Sequence, residues 1–114
     1  MAETLERGDL VWVNFSPQRG SEQAGHRPAF IVSPGAYNAQ ARCVLACPIT
    51  SNLAPWPWKV ALPPSDIITG AVLVDQIWAL DVDARHIRAS GERVGTMIID
   101  EVLARLATLT GPVR

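Results

Sequence analysis

A polar loop between residues 20 and 28 carries three chemically active side chains within six positions. Glu22 contributes a carboxylate, His26 an imidazole and Arg27 a guanidinium, whose planar fork of donors suits phosphate oxygens. Pro28 pushes Arg27 towards an extended conformation, and the two glycines of the loop permit tight turns. The loop could therefore aim these groups into one groove, although a solvated surface loop is the simpler explanation of the same residues.

Two further polar groups interrupt apolar segments. Thr50 ends the run Pro48-Ile49-Thr50, where a hydroxyl commonly caps a turn. Asp75 and Gln76 lie inside an otherwise apolar segment, and we expect one of them to face inward and the other outward. A polar side chain in such a segment needs a partner if it is buried, or a ligand if it lines a groove.

The aromatic and sulfur-containing residues leave several interpretations open. Trp56 and Trp58 flank a proline and could stack on unpaired bases, or they could pack on the core or in a dimer interface. On one strand, Cys43 and Cys47 would lie about 13 Å apart, which is too far for a disulfide. Neither has a second Cys or His pair nearby, so we expect two small buried residues and no metal site.

Short apolar segments bounded by turn residues predict a mainly β fold. We expect strands at 9–15, 29–32, 42–49, 59–62, 71–80 and near 86–89. The period changes towards the C-terminus, where one apolar helical face ends before Gly111 and Pro112. That face consists of Ile99, Val102, Leu103, Leu106 and Leu109. The pattern predicts a small barrel of about six strands, or a strongly bent sheet, with a C-terminal helix.

Composition limits the remaining possibilities. The 114 residues suffice for a single domain over 1–114, and the net charge of −1 provides no general basic field for nucleic acid. Nine of the ten basic residues are arginine, so a local arginine-lined groove remains open. No apolar run approaches the roughly 20 residues that span a bilayer, and the N-terminus does not resemble a signal peptide. We therefore expect a cytoplasmic protein without membrane contact.

Two segments closely resemble the MazF/PemK (Kid-type) toxins, the sequence-selective ribonucleases of type II toxin–antitoxin modules. They are Gly8-Asp9-Leu10-Val11-Trp12-Val13-Asn14-Phe15-Ser16-Pro17 and Gly20-Ser21-Glu22-Gln23-Ala24-Gly25-His26-Arg27-Pro28. The resemblance continues through Ser33-Pro34, Pro48-Ile49-Thr50, Asp75-Gln76-Ile77 and Gly95-Thr96. It implies a plasmid-toxin barrel related to SH3-like barrels, a homodimer, and a MazE-like antitoxin whose extended acidic segment occupies an RNA groove.

The resemblance also implies roles for individual residues. The positions that match the family's catalytic arginine and threonine are Arg27 and Thr50. The loop glutamate corresponds to Glu22, and the glutamine that contacts RNA corresponds to Gln76. Ser21 and Gln23 are further candidates for RNA contact, and Trp56 is a candidate because of its stacking potential rather than the resemblance. The chain departs from the common pattern at Trp78, at His86 and in the 56–58 segment. These departures bear on RNA preference and antitoxin pairing but not on the chemistry.

The implied reaction is attack by a ribose 2′-hydroxyl on the adjacent phosphorus, which yields a 2′,3′-cyclic phosphate and a 5′-hydroxyl. Arg27 suits stabilisation of the negative charge, and Thr50 suits a hydrogen bond to a phosphate oxygen. Because an arginine pKa exceeds about 12, we expect Glu22 or His26 to assist proton transfer. No metal or other cofactor is expected.

Two alternatives to a ribonuclease remain at this stage. A non-catalytic RNA-binding barrel would retain the aromatic residues but would need neither Arg27 nor Thr50. A gyrase-poisoning toxin of the related CcdB fold is less consistent with the sequence. CcdB-type chains resemble one another in a Trp-Gly-Ile ending, whereas this chain ends Thr110-Gly111-Pro112-Val113-Arg114.

Overall fold

The computed structural model describes residues 4–15 and 26–112, which form seven strands and two helices. The strands are β1 (Asp9–Asn14), β2 (His26–Ile31), β3 (Cys43–Thr50), β4 (Lys59–Ala61), β5 (Ala71–Leu73), β6 (Trp78–Asp81) and β7 (Arg88–Arg93). The helices are α1 (Gly35–Gln40) and α2 (Thr96–Thr110). The predicted mainly β fold with a C-terminal helix is confirmed.

The strands form one antiparallel sheet in the order β4-β5-β3-β2-β1-β7, with β6 added beside β3. One edge of β3 pairs with β2, and its other edge pairs first with β6 and then with β5. Within the described ranges the hydrogen-bonded path from β4 to β7 does not close on itself. The sheet is therefore open there, with seven strands rather than the six or so expected for a closed barrel.

The sheet is buried on both faces, which explains why β1 is an almost continuous apolar run. Alternation along β1 directs Leu10 to one face and Val11 and Val13 to the other. The first face joins a cluster that includes Phe30, Cys47 and Val72, and α2 packs against this cluster through Val102. The second face contains Val11, Val13, Ala29, Ile31, Val44, Ala46 and Leu80.

Helix α2 begins at Thr96, three residues before the first apolar position of the predicted face. Ile99, Leu103 and Leu106 pack against the core as partly buried residues, as the period predicted. Leu109 is 46% exposed, so the apolar face ends a turn earlier than expected. None of the described helices is both long and apolar enough to cross a membrane.

Several local predictions were wrong. The predicted strand 71–80 is divided into β5 and β6 by a turn at residues 74–77. His86 lies in a turn with φ of 50°, and the strand expected there begins at Arg88. The Ser33-Pro34-Gly35 turn signal leads into α1, which the sequence analysis missed. Cys43 is only half-buried, whereas Cys47 is buried, and both cysteines are free.

Candidate active site

A groove of about 460 Å³ lies where β2 and β3 stop pairing. The last cross-strand pair joins Ala29 to Pro48, and the same register continued by two residues would set Arg27 opposite Thr50. Pro28 has no N–H, so it cannot donate the next hydrogen bond of the β2–β3 ladder. The two strands therefore end their pairing beside the groove, and both Arg27 and Thr50 line it.

Arg27 and Thr50 point to the same face of the sheet. Arg27 lies in β2 opposite the buried Val13, and its own side chain is exposed. Thr50 is half-buried at the end of β3, and its Oγ1 accepts a hydrogen bond of 3.0 Å from the backbone N–H of Asn52. This bond is the turn cap considered from the sequence. It still leaves the hydroxyl hydrogen able to donate to a ligand.

The turn between β5 and β6 brings Gln76 to the same groove. Its backbone N–H donates to the carbonyl oxygen of Leu73 at 3.1 Å, which closes the turn. Asp75 and Gln76 are both exposed, so the predicted alternation of one inward and one outward side chain was wrong. Alternation requires a continuous strand, and the chain leaves the ladder at this turn.

Cys47 lies beneath this turn, and its thiol is unreactive. Its Sγ contacts the carbonyl oxygen of Val74 at 3.8 Å, and the residue is completely buried. Burial raises the pKa of the Cys47 thiol to about 12, and the charge of Asp75 adds to the effect. The thiol is therefore neutral at physiological pH and does not supply a nucleophile beside the groove.

The two tryptophans of the 51–58 loop are bound to the protein surface and do not line this groove. Trp56 Nε1 donates to Asp75 Oδ2 at 3.0 Å, and Trp58 Nε1 donates to Thr108 Oγ1 on α2 at 2.8 Å. The two rings lie 5.5 Å apart at 59°. Trp58 also packs against the core, which was one of the alternatives that the sequence left open.

Two aromatic residues that the sequence analysis did not assign to a site do line the groove. Trp78 begins β6 and is 42% exposed, and its ring lies 5.4 Å from that of Phe15 at an interplanar angle of 72°. The guanidinium carbon of Arg85 lies 5.7 Å from the centroid of the Trp78 ring. The sequence indicated Trp78 only as a departure from the family pattern.

Of the other predicted catalytic residues, only His26 is among the described residues, and it does not line the groove. Ser21, Glu22 and Gln23 lie outside the described residues. His26 begins β2 opposite Asn14 and is half-buried, and strand alternation directs it away from the face that carries Arg27. Across residues 4–15 and 26–112, no group of three or more His, Cys, Asp and Glu side chains is arranged to hold a metal ion.

The fold and the groove define a small antiparallel β protein with a C-terminal helix and an arginine, a hydroxyl and an amide gathered where two strands part. Residues 6–110 match the family model for PemK-like, MazF-like toxins of type II toxin–antitoxin systems. The chain belongs to this family. It is a toxin of the type II class and an endoribonuclease.

Individual relatives agree with this assignment. The chain is 40% identical over 86 residues to the endoribonuclease toxin MazF of Escherichia coli K12. The aligned residues cover 75% of this chain and 77% of that protein. It is 39% identical over 109 residues to the endoribonuclease PemK of Escherichia coli, with coverage of 92% and 81%. The fold matches a chain of the MazE–MazF crystal structure from Deinococcus radiodurans with a TM-score of 0.82, 33% identity, and coverage of 98% and 100%.

Proposed function

We propose that this toxin binds single-stranded RNA across the groove and cleaves it without a metal ion, by attack of the 2′-hydroxyl on the adjacent phosphorus. The observation that carries the proposal is the meeting of Arg27, Thr50 and Gln76 in one groove at the end of the β2–β3 ladder. The new bond joins O2′ to phosphorus, and the bond from phosphorus to O5′ breaks. The products are a 2′,3′-cyclic phosphate and a 5′-hydroxyl.

An attached nucleophile explains why a site of this size suffices. The 2′-hydroxyl is already tethered beside the phosphorus, so its attack is intramolecular and gains a large effective molarity. What the protein must add is stabilisation of the charge that develops on the phosphate oxygens and transfer of two protons. Cleavage then requires neither an activated water molecule nor a metal to generate one.

Arg27 and Thr50 serve the phosphate from two neighbouring strands. The guanidinium fork of Arg27 donates to two oxygens of the pentacoordinate phosphorus, where negative charge accumulates. Thr50 donates its hydroxyl hydrogen to a phosphate oxygen while its Oγ1 remains oriented by the Asn52 N–H. Both residues lie on paired strands, so their backbone positions are set before substrate arrives.

Proton transfer is assigned to Glu22 or His26. One of them removes the proton from the 2′-hydroxyl, and an acid returns a proton to O5′ as the leaving group departs. Arginine is a poor base because its pKa exceeds about 12, so Arg27 is assigned charge stabilisation instead. Strand alternation directs His26 away from the face that carries Arg27, so Glu22 is the preferred candidate of the two in this proposal.

Sequence-selective binding is assigned to polar and aromatic side chains around the phosphate site. Gln76 is the polar side chain of this group that the structure places in the groove. Its amide can donate a hydrogen bond to a base edge and accept one from it. Ser21 and Gln23 are proposed to contact RNA from the loop that precedes β2. Trp56 is proposed as a more distant contact, since it is hydrogen-bonded to Asp75 and does not line the groove.

We also propose a cognate MazE-like antitoxin as the protein partner. The matched Deinococcus radiodurans chain was crystallised as MazE–MazF, and the fold match extends over 98% of this chain. In this proposal an extended acidic antitoxin segment occupies the groove and competes with RNA for Arg27. The toxin is further proposed to be a single domain over residues 1–114 that acts as a homodimer in the cytoplasm, where messenger RNA is translated.

The test uses a labelled single-stranded RNA containing a mapped cleavage site, incubated with the toxin in excess EDTA. We expect full cleavage, with 2′,3′-cyclic phosphate and 5′-hydroxyl ends identified by mass spectrometry. A matched RNA with one 2′-deoxyribose on the 5′ side of the cut should bind and remain intact at that linkage. Cleavage of the modified linkage, or a requirement for added Mg²⁺ or Mn²⁺, would show that the mechanism is wrong.

A further inference from the structure

Trp78 is an exposed indole inside the groove rather than on the outer surface. It is 42% exposed, and it lines the same groove as Arg27, Thr50 and Gln76. A large aromatic side chain left open beside polar groups is a feature of binding sites, because the apolar ring and its polar neighbours contact one ligand together. This combination favours a ligand that carries both a flat ring and a charged group.

The indole is held in place from two directions. Phe15 packs against it edge to face, and the guanidinium of Arg85 lies over the ring. Arg85 is itself anchored, since its Nη1 donates to the carbonyl oxygen of Phe15 at 2.7 Å and its backbone N–H donates to Asp81 at 3.0 Å. A ring fixed in this way loses little conformational freedom when a ligand binds.

The ladder places Trp78 on the phosphate-binding side of the sheet. Trp78 and Leu80 share one face of β6, and Leu80 belongs to the same buried cluster as Val13 and Ala29. Val13 and Ala29 are on the face that carries Arg27. Directly across the ladder from Trp78 is Ala46, whose small side chain leaves room for an indole.

We infer that Trp78 stacks on an unpaired base of the RNA next to the phosphate bound by Arg27 and Thr50, and that it thereby contributes to affinity and to the choice of nucleotide. The inference rests on the proposed function, because it needs RNA in this groove. Stacking on an exposed aromatic ring contributes about 1–3 kcal/mol per base. Trp78 rather than Trp56 is the stacking residue in this assignment, since Trp56 is bound to Asp75 outside the groove.

The experiment measures binding of the RNA that carries the 2′-deoxyribose at the cut, by fluorescence anisotropy of a terminal label. We expect Trp78→Ala to raise the Kd about 5- to 150-fold, and Trp78→Phe to restore most of the affinity because a ring remains. Tyr37→Ala is the matched control, since that aromatic ring on α1 is 46% exposed but does not line the groove. It should change the Kd less than Trp78→Ala does.

A second measurement identifies the stacked base. Bases around the cut are removed one at a time by abasic substitution. At one position, removal of the base should weaken binding to the wild-type toxin. The same removal should not further weaken binding to Trp78→Ala, which has already lost the stacking contact. Trp78→Ala should keep the wild-type melting temperature, which separates a lost stacking contact from a failure to fold. Trp78→Phe, which keeps a ring, should lose affinity at the same abasic position as the wild type.

The inference is overturned if Trp78→Ala binds RNA as the wild type does, or if its loss adds to the abasic loss at every position. It is also overturned if the substitution weakens binding of the antitoxin segment without weakening binding of RNA. In those cases the wild type still cleaves unmodified RNA and the proposed function stands. If the wild-type toxin neither binds nor cleaves RNA, the proposed function fails together with the inference.

Discussion

Arg27 and Thr50 approach the proposed phosphate site from adjacent strands with different chemistry. Arg27 contributes a permanent charge and two parallel donors, whereas Thr50 contributes one neutral donor that the Asn52 N–H orients. The effect of removing each should therefore differ in size. A charge that stabilises the transition state is the larger loss, because the developing negative charge then lacks its counterion.

Arg27→Ala should reduce kcat for RNA cleavage by about 10³ and Thr50→Ala by about 10², with the melting temperature unchanged in both. Arg27→Lys should recover only part of the activity, because lysine keeps the charge but loses the fork. Arg88→Ala is the control, since Arg88 is an exposed strand arginine that does not line the groove. Wild-type cleavage by Arg27→Ala in single-turnover assays would place the active site elsewhere.

Residue types alone left simpler explanations for Arg27, Thr50 and Gln76, and the resemblance to MazF/PemK toxins selected them as site candidates. The structure gathers all three in the groove. Trp78 could not be predicted in the same way, because its position depends on a break in the strand that local propensity does not indicate. Trp56 was expected to be available for stacking. Its hydrogen bond to Asp75 joins residues 19 positions apart, and no local pattern reveals such a contact.

At the scale of elements, the entrance to β5 determines where the end of β3 lies. Gly70 has φ of +128°, a conformation that side chains rarely adopt, and a Cβ added there would lie 2.3 Å from the carbonyl oxygen of Thr50. The neighbouring atom belongs to the backbone, so it cannot move aside as a flexible side chain would. The backbone at Gly70 therefore packs directly behind a proposed catalytic residue.

Gly70→Ala should lower both the melting temperature and kcat, because the Thr50 carbonyl and the hydroxyl attached to the same residue must shift together. Gly91→Ala is a matched control: Gly91 also has positive φ, of +91°, but an added Cβ meets nothing within 4 Å. That control should cost about 1 kcal/mol of stability and leave kcat near the wild-type value. Equal cleavage by the two variants would contradict a link between Gly70 and the site.

The division of the predicted strand 71–80 has a physical cause outside that segment. β5 and β6 pair with the same edge of β3, and the gap between them faces Cys47 and Pro48. Pro48 cannot donate a ladder hydrogen bond, so continuous pairing along this edge is interrupted. The apolar period of 71–80 indicates strand structure, but only the pairing partner determines where the strand is interrupted.

On the scale of the whole molecule, positive and negative charges nearly balance, so any attraction of RNA must come from charges at the groove. The net charge is −1, so long-range attraction of an RNA polyanion is absent and affinity depends on the few cations at the groove. The described cations there are Arg27, which lines it, and Arg85, which lies over the Trp78 ring. Ring stacking, which salt does not screen, should then supply much of the binding free energy.

The Kd for the uncleavable RNA should therefore depend weakly on salt. With one or two phosphates neutralised, the slope of log K against log salt should be about −0.7 to −1.4. Binding measured between 50 and 200 mM KCl tests this, and Arg27→Ala should make the slope shallower by about 0.7. A slope much steeper than that would mean that basic residues outside this groove neutralise several more phosphates.

The fold class could be predicted because alternating apolar segments and turn residues are local signals. The open path of the sheet and its seventh strand could not, since pairing depends on contacts between distant segments. Helix α1 was missed for a related reason. It follows a turn signal and is stabilised by Asn38, whose side-chain amide donates to the carbonyl oxygens of Leu5 and Ser33.

The two prolines at the groove also bear on inhibitor design. A peptide that mimics a β-strand gains affinity by exchanging main-chain hydrogen bonds with the edge it covers. Pro28 and Pro48 offer no N–H at the point where β2 and β3 part, so such a peptide would find carbonyl acceptors there but no donor from either residue. A compact, flat and anionic compound, which engages the guanidinium of Arg27 and the exposed indole of Trp78, suits this groove better than a strand mimetic.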